Sequence, residues 1–272
     1  MLMKNRDYLL NHEEYEKLKE QRNQSFNGMS ASEWAKHSRS VWKDLPTLKE
    51  DSRLKRMVIL PVELIDRIVN IYSKEEDKIL DPFMGSGTTV ISAIRNNRFC
   101  YGFEIDSKVH KIASDNIENS LNLLVNGGYV IRNVDCVQGL NSIEDESIQL
   151  TITSPSIPSN KYVDDYNGEF DKLPYDPYLE RMSYVMNELY RVTKMGGYVA
   201  FVVTDYRNIK YDEPYVELHS DIARVGKDAG FLYQDCIIYD HNDQRGLLSQ
   251  GYPKIFYANL NHTYVVILRK AR

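Results

Sequence analysis

An excess of positive charge is missing from this chain. Against 39 Asp and Glu stand 34 Lys and Arg, a formal net charge of −5. That balance excludes a globally basic nucleic-acid binder while leaving local patches open. Cysteine is scarce: Cys100, Cys136 and Cys236 lie far apart and lack metal-ligand spacing, so no metal site is expected. Cys100 and Cys236 fall in strand-like runs and are expected to be buried free thiols in a reduced, cytoplasmic chain. No apolar run approaches the length of a membrane span, and Met1 opens a polar, charged segment rather than a secretory signal. Repeats and low-complexity tracts are absent as well.

What is present is ordinary globular composition. The 272 residues are 42% hydrophobic and 27% charged, enough for one large α/β domain or a domain with a modest appendage. Tyrosine is abundant at 20, a residue suited to stacking and hydrogen bonding but equally a common strand former.

The most informative stretch is 79–106, ILDPFMGSGTTVISAIRNNRFCYGFEID. Ile79 and Leu80 end a short apolar strand, Asp81-Pro82 stops it, and Gly85 and Gly87 permit a close backbone turn. From Thr88, Val90, Ile91, Ala93 and Ile94 recur at helical spacing until Asn96-Asn97, and Cys100 to Ile105 reads as a second strand closing on Glu104 and Asp106. Strand, glycine turn, helix, strand and acid place a helix N-terminus and free backbone N–H groups against a ligand. Glu104 stands where it can accept hydrogen bonds from a ribose. The spacing is not G-x-G-x-x-G, because Val90 stands three after Gly87, and no Gly-Lys-Ser/Thr follows to make a phosphate loop.

Around this stretch the chain alternates strands and helices. Residues 1–24 read as a polar helix, Ser25 to Ser30 as a break, and a second helix starts at Ser32 and carries both tryptophans. Lys36, Arg39, Lys43, Lys49, Arg53, Lys55 and Arg56 make 36–56 the most basic window. It reads either as a solvated helix docked through its tryptophans or as a source of phosphate contacts from Arg39, Lys43 and Arg53. Pro61 opens a helix whose core face is Ile65, Ile68, Val69 and Tyr72. A helix runs from Val109 to Leu121, a strand covers Tyr129–Ile131, and Asp135-Cys136 follow it. Ile148–Thr153 is a strand leading into Ser154-Pro155-Ser156-Ile157. A long helix through Tyr178 and Leu189 is expected to end in Lys194–Gly197. Strands over Tyr198–Thr204, Phe231–Tyr239 and His262–Leu268 complete the pattern, with a helix through Leu218 and Val225 between the first two. This order predicts a doubly wound, Rossmann-like α/β sheet of about seven strands with helices on both faces and its ligand at the strand carboxyl ends. Residues 1–50 form an N-terminal helical arm and 51–272 the domain.

The string DPFMGSGTT closely resembles the S-adenosylmethionine loop of the DNA methyltransferases that act on adenine N6 or cytosine N4. The stretches WAKHSRSVW, RVTKMGGYVAFVVTDYR and NHTYVVILRK are similar to segments of the same family, so the resemblance runs from about residue 34 to the C-terminus. It implies S-adenosyl-L-methionine as cofactor, held by Pro61, Asp81, Pro82, Phe83, Gly85, Ser86, Gly87, Thr88, Glu104, Ile105, Asp135, Cys136 and Ser154. Within that set Glu104 would hold the ribose and Asp135 the adenine amino group, though a carboxylate at 135 could equally cap the next turn. The helix opened by Pro61 would lie near the methionine end. The implied partner is double-stranded DNA with its target base flipped out, in a restriction–modification or phage setting. A cognate restriction enzyme and a homodimer are further partners compatible with the resemblance.

An exocyclic amine is a poor nucleophile because its lone pair is delocalised into the ring. The family meets this with (D/N/S)-P-P-(Y/F/W), whose acceptors take the amino protons while the aromatic ring stacks on the extruded base. Here the catalytic string is Ser154, Pro155, Ser156, Ile157. The serine and first proline match; the second proline and the aromatic do not. The lost stacking is worth roughly 1–3 kcal/mol per base. Three accounts stay open: Tyr162 or Tyr166 supplies the ring, activity is weak or absent, or the target is not a flipped DNA base. Serine in first position leans towards cytosine N4. No insertion between Asp106 and Ser154 is large enough for a recognition domain. Sequence reading would therefore fall to 158–176, with Asn160, Lys161 and Tyr162, to 240–258, with Arg245, or to the arm. The expectation is a site-specific DNA amino-methyltransferase. Methylation of RNA or another amine, and a non-catalytic nucleic-acid binder that keeps the cofactor pocket, are the alternatives.

Overall fold

A computed structural model of the chain describes residues 27–46, 49–50, 58–120, 127–158, 170–207, 215–241 and 260–272. The chain divides into two units, Met1–Arg39 and Ser40–Arg272. In the first, α1 (Ala31–His37) begins at a reciprocal cap: Ser30 Oγ accepts from the Glu33 N–H at 3.2 Å, and the Glu33 carboxylate accepts from the Ser30 N–H at 2.7 Å. The expected helix with both tryptophans therefore carries only Trp34. Trp42, placed by the sequence in the arm, is 1% exposed within a short strand of the second unit.

The strands are β1 (Val41–Trp42), β2 (Lys49–Glu50), β3 (Val58–Ile59), β4 (Lys78–Asp81), β5 (Phe99–Glu104), β6 (Tyr129–Asn133), β7 (Ile148–Thr153), β8 (Thr193–Val203), β9 (Leu232–Asp240) and β10 (His262–Arg269). β2 and β3 make a separate ladder. The other eight form one sheet in the order β1-β9-β10-β8-β7-β4-β5-β6, one strand more than expected because β1 adds an edge beside β9. β10 runs antiparallel to β8 and β9, while β4, β5, β6, β7 and β8 are mutually parallel neighbours. From β4 the chain steps outward to β6, then returns to β7 on the other side of β4. The β4/β7 boundary is thus the switch point at which crossovers diverge and leave a crevice at the strand carboxyl ends.

Alternation along the buried strands sorts the helices onto two faces. Ile79, Leu150, Ala200 and Val265 pack with α2 (Val62–Tyr72), α3 (Thr88–Arg95) and α4 (Ser107–Ser120). Leu80, Phe103, Val199 and Val266 pack with α5 (Cys136–Leu140), α6 (Tyr175–Val192) and α7 (Leu218–Asp228). α2 alone buries Leu64, Ile65, Ile68 and Val69 completely, at about 1.5–3 kcal/mol per side chain.

Three local expectations need correction. Lys194–Gly197 is not a helix end: α6 stops at Val192 and β8 starts at Thr193. The cause is pairing with the C-terminal segment, the Gly196 N–H donating to Lys270 O and the Lys270 N–H to Gly197 O, both at 3.0 Å. α5 was not expected at all. Cys100 is buried as expected, but Cys236 is only partly so, because β9 has just the two-residue β1 on its outer side; all three thiols are free.

Candidate functional site

The site grows from the end of β4. Asp81, 4% exposed, accepts through Oδ1 from the Phe83 N–H at 3.1 Å and from Thr153 Oγ1, at the end of β7, at 2.8 Å. The Thr89 hydroxyl of α3 also donates to it. One carboxylate therefore ties the glycine loop, the helix that follows and the neighbouring strand to a single point. Burial outweighs these donors and pushes its pKa up to about 6.

The loop that follows lies flat against β5. Met84 N–H donates to Phe103 O at 2.8 Å, and a Cβ on Gly102 would meet Met84 Sδ at 2.5 Å, so this strand position has no room for a side chain. Gly87 is the N-cap of α3 at φ 87°, the left-handed region, with Ile117 Cδ1 3.2 Å from where a Cβ would stand.

Two acids stand on the far wall. Glu104 Oε2 accepts from the Gly85 N–H at 3.0 Å and Oε1 from the Asp106 N–H at 2.9 Å, and burial raises its pKa above the ordinary value. Asp135 caps α5 by accepting from the Val137 N–H at 2.9 Å, and its other oxygen pairs with Arg181 at 2.7 Å. The capping geometry is present, and the ion pair to α6 was not foreseen. Arg181 lies over the Phe170 ring at 5.2 Å, and Phe170 meets Phe83 edge-on at 4.9 Å.

These groups surround a cavity of about 600 Å³. Of the residues expected to hold a cofactor, Asp81, Pro82, Phe83, Gly85, Ser86, Thr88, Glu104, Ile105, Asp135, Cys136 and Ser154 line it. Pro61 and Gly87 do not: Pro61 is the N-cap of α2, with Leu60 on the wall in its place, and Gly87 is buried beneath the loop. Pro155, Ser156 and Ile157 join Ser154 on the wall, with Pro155 buried and Ile157 45% exposed. The sequence reading missed Met84, Thr89, Phe103, Asp106, Val109, Phe170, Val202, Val203, Thr204, Leu218 and Thr263. The end of β8 was inferable, since a strand parallel to β7 must open into the same crevice. Phe170 and Thr263 carried no local signal.

The cavity therefore has two halves. One, on β4, β5 and β6, holds the glycine loop and the acids. The other, on β8, β10 and α7, is floored by Val202 and Val203 and walled by Thr204, Leu218 and Thr263, with Ser154–Ile157 between the two. Tyr162, Tyr166, Asn160, Lys161, Arg53 and Arg245 lie outside the described residues. Arg39 and Lys43 are exposed, Arg39 in the first unit and Lys43 in the second. Among the described residues no cluster of His, Cys, Asp and Glu could hold a metal ion, and no helix is long and apolar enough to cross a membrane.

Residues 2–115 match the family of N6/N4 methyltransferases described as DNA methylase, a match that includes the glycine loop and Glu104 and stops before the Ser154 string. The type II methyltransferase M.MthZI of Methanothermobacter thermautotrophicus is 37% identical over 87 residues, which are 30% of this chain and 24% of that protein. M.BglI of Bacillus subtilis, another type II methyltransferase, is 33% identical over 95 residues, 34% of this chain and 26% of that protein. The matched stretch thus spans about a quarter of each relative. Among solved structures, a SAM-dependent methyltransferase from Methanosarcina mazei superposes with a TM-score of 0.50 at 16% identity, covering 75% of this chain and 97% of that one. It shares the fold.

Proposed function

We propose that this chain, a relative of the amino-methylating DNA methyltransferases, transfers a methyl group from S-adenosyl-L-methionine to the exocyclic amine of a base in double-stranded DNA. Cytosine N4 is the favoured atom and restriction–modification or phage DNA modification the favoured setting. The observation that carries this reading is the single cavity in which Glu104, the glycine loop and the Ser154 string meet at the switch point of the sheet.

The residues present fit the cofactor. A cavity of about 600 Å³ is the size of a small-molecule site. Glu104 is placed to accept from a pair of hydroxyls, the loop turns its backbone towards the cavity at the start of α3, and Ile105, Cys136 and Phe170 give an apolar slot beside Asp135. When bound, the cofactor supplies an electrophilic methyl group on a sulfonium. The chain's own contribution is positional. Ser154 accepts an amino proton and draws the amine towards tetrahedral geometry, Pro155 fixes the backbone, and the Asp81–Thr153 bond holds that string against the loop.

Ile157 favours a second reading. Its exposed aliphatic side chain offers no π face to a flipped base, as a nucleic-acid binder retaining the cofactor pocket would tolerate. One experiment separates the two: incubation of duplex DNA and RNA with the protein and isotopically labelled cofactor, followed by mass analysis of the nucleosides. Labelled N4-methyldeoxycytidine or N6-methyldeoxyadenosine from DNA supports the first reading and assigns the atom. Binding of cofactor and DNA without label in any nucleoside supports the second.

A further inference from the structure

A buried chain of hydroxyls stands behind the β8/β10 half of the cavity. Thr204 Oγ1 is 2.9 Å from Thr263 Oγ1, and Thr263 Oγ1 is 2.7 Å from His241 Nε2. Thr204 and Thr263 both line the cavity, but Thr263 is 3% exposed and His241 9%, so the less buried Thr204 is the end of the chain that a ligand meets. Threonine hydroxyls each give one proton and accept at two lone pairs, so neighbours in such a chain fix one another's direction. If His241 Nε2 bears its proton, it donates to Thr263, Thr263 donates to Thr204, and Thr204 turns its own proton into the cavity. With Nε2 bare, the chain reverses and Thr204 offers only lone pairs.

The register places this end beside the Ser154 string. Thr153 pairs with Phe201 and Tyr264 with Val203, so Ser154 stands level with Val202, and Thr204 with Thr263. Thr204 is two residues further along and one strand across, roughly 8 Å from Ser154 at ~3.3 Å per residue and ~4.8 Å between strands. That separation is between backbone positions; the two hydroxyls reach inwards from it on their side chains, so that a short molecular edge can lie between them with a hydrogen bond of about 2.9 Å to each. The edge in question belongs to an amine bonded to a ring carbon next to an unprotonated ring nitrogen. Cytosine and adenine both carry it on the edge that pairs; thymine has no exocyclic amine, and on guanine's pairing edge the ring nitrogen is protonated.

We propose that Thr204, its proton directed by Thr263 and His241, donates to the ring nitrogen beside the target amine and so sets both the position of the base and the choice of an amidine-type edge. Thr204 then touches the substrate, while Thr263 and His241 are positioning residues. The assignment rests on the base-methylating reading above and deepens it.

The test uses the full chain and the duplex in which nucleoside analysis has located the methyl group. Thr204→Val and Thr263→Val should each lower kcat/KM for methyl transfer at least about tenfold, the scale of one lost hydrogen bond. Affinity for S-adenosylmethionine by calorimetry should stay within about twofold, and Thr204→Ser and Thr263→Ser should recover most of the loss. The Thr204→Val, Thr263→Val double variant should be no worse than Thr204→Val alone, because the chain acts as a unit. A duplex with 3-deazacytosine or 1-deazaadenine at the target removes the ring nitrogen. The parent should lose about tenfold on it, and Thr204→Val should lose little more. A parent indifferent to the deaza base, or valine variants as active as the parent, would overturn the assignment while leaving the methyltransferase reading intact. A parent that methylates no nucleic acid would overturn both. Because the deaza comparison is made on the parent, it holds even where a variant fails to fold.

Discussion

Replacing Asp81 by Asn should make the protein's stability less dependent on pH, with a sign fixed by the surroundings of that carboxyl. It is buried at the end of β4 among the Phe83 N–H, the Thr153 hydroxyl and the Thr89 hydroxyl. Burial costs its charged form more than these donors return, so the folded-state pKa is about 6 against an ordinary 3.8. A group raised in the folded state contributes stability that is complete below pH ~4 and lost as pH rises through about 6, because there the folded protein binds the proton that the unfolded chain has released. At ~1.4 kcal/mol per pKa unit the loss is about 3 kcal/mol. Asparagine has the same shape, its oxygen still accepts from Phe83 and Thr153, and it does not ionise. Urea unfolding of parent and Asp81→Asn at intervals from pH 4 to pH 8 reads the difference directly. The variant should gain on the parent by about 2–3 kcal/mol across that range, most of it between pH 4 and 6. A difference that stays flat, or one that moves against the variant as pH rises, would refute the account of Asp81 as a carboxyl held neutral by burial.

Gly87→Ala should destabilise by roughly 1–2 kcal/mol, the cost of a left-handed backbone at a residue with a Cβ plus the approach to Ile117, and an unchanged urea midpoint would show that the turn relaxes freely. Arg181 and Asp135, both partly buried at 2.7 Å, should couple by about 1–3 kcal/mol in a double-mutant cycle, whereas additivity within ~0.3 kcal/mol would make the pair incidental to the fold.

Much of the sheet was readable because each strand–helix unit announces itself locally. Apolar residues at 79–80, 148–152 and 199–203 end in turn residues, and the helices between them repeat at three-to-four spacing. What escaped was decided by partners distant in sequence. Val41–Trp42 is too short to show a strand pattern, and it becomes one only because the edge of β9 at Ile238–Tyr239 is open to it. Gly196 and Gly197 look like a helix stop. They are drawn into β8 because Lys270 exchanges backbone hydrogen bonds with both of them across more than 70 residues of chain. The same distinction divides the cavity. Its glycine-loop half lies within the 79–106 string, where the strand–turn–helix–strand order points to Gly85 and Glu104 and the family resemblance adds Asp81. Its other half combines Thr204 and Leu218 with Thr263, and nothing in any one of those segments marks it.

That division bears on the altered string Ser154–Ile157. Its departure from the expected pattern is confined to Ser156 and Ile157, both exposed on the cavity wall. The residues beneath it keep an ordered frame: Thr153 is bonded to Asp81, Pro155 is buried, and Asp81 in turn holds the loop and α3. A neutral asparagine or an apolar residue at this junction would cost less to bury than this carboxyl does. Asp81 raises the energy of the folded state above pH ~6, so what its bonds to Phe83, Thr89 and Thr153 supply at this junction is the position of the loop and the string rather than net stability.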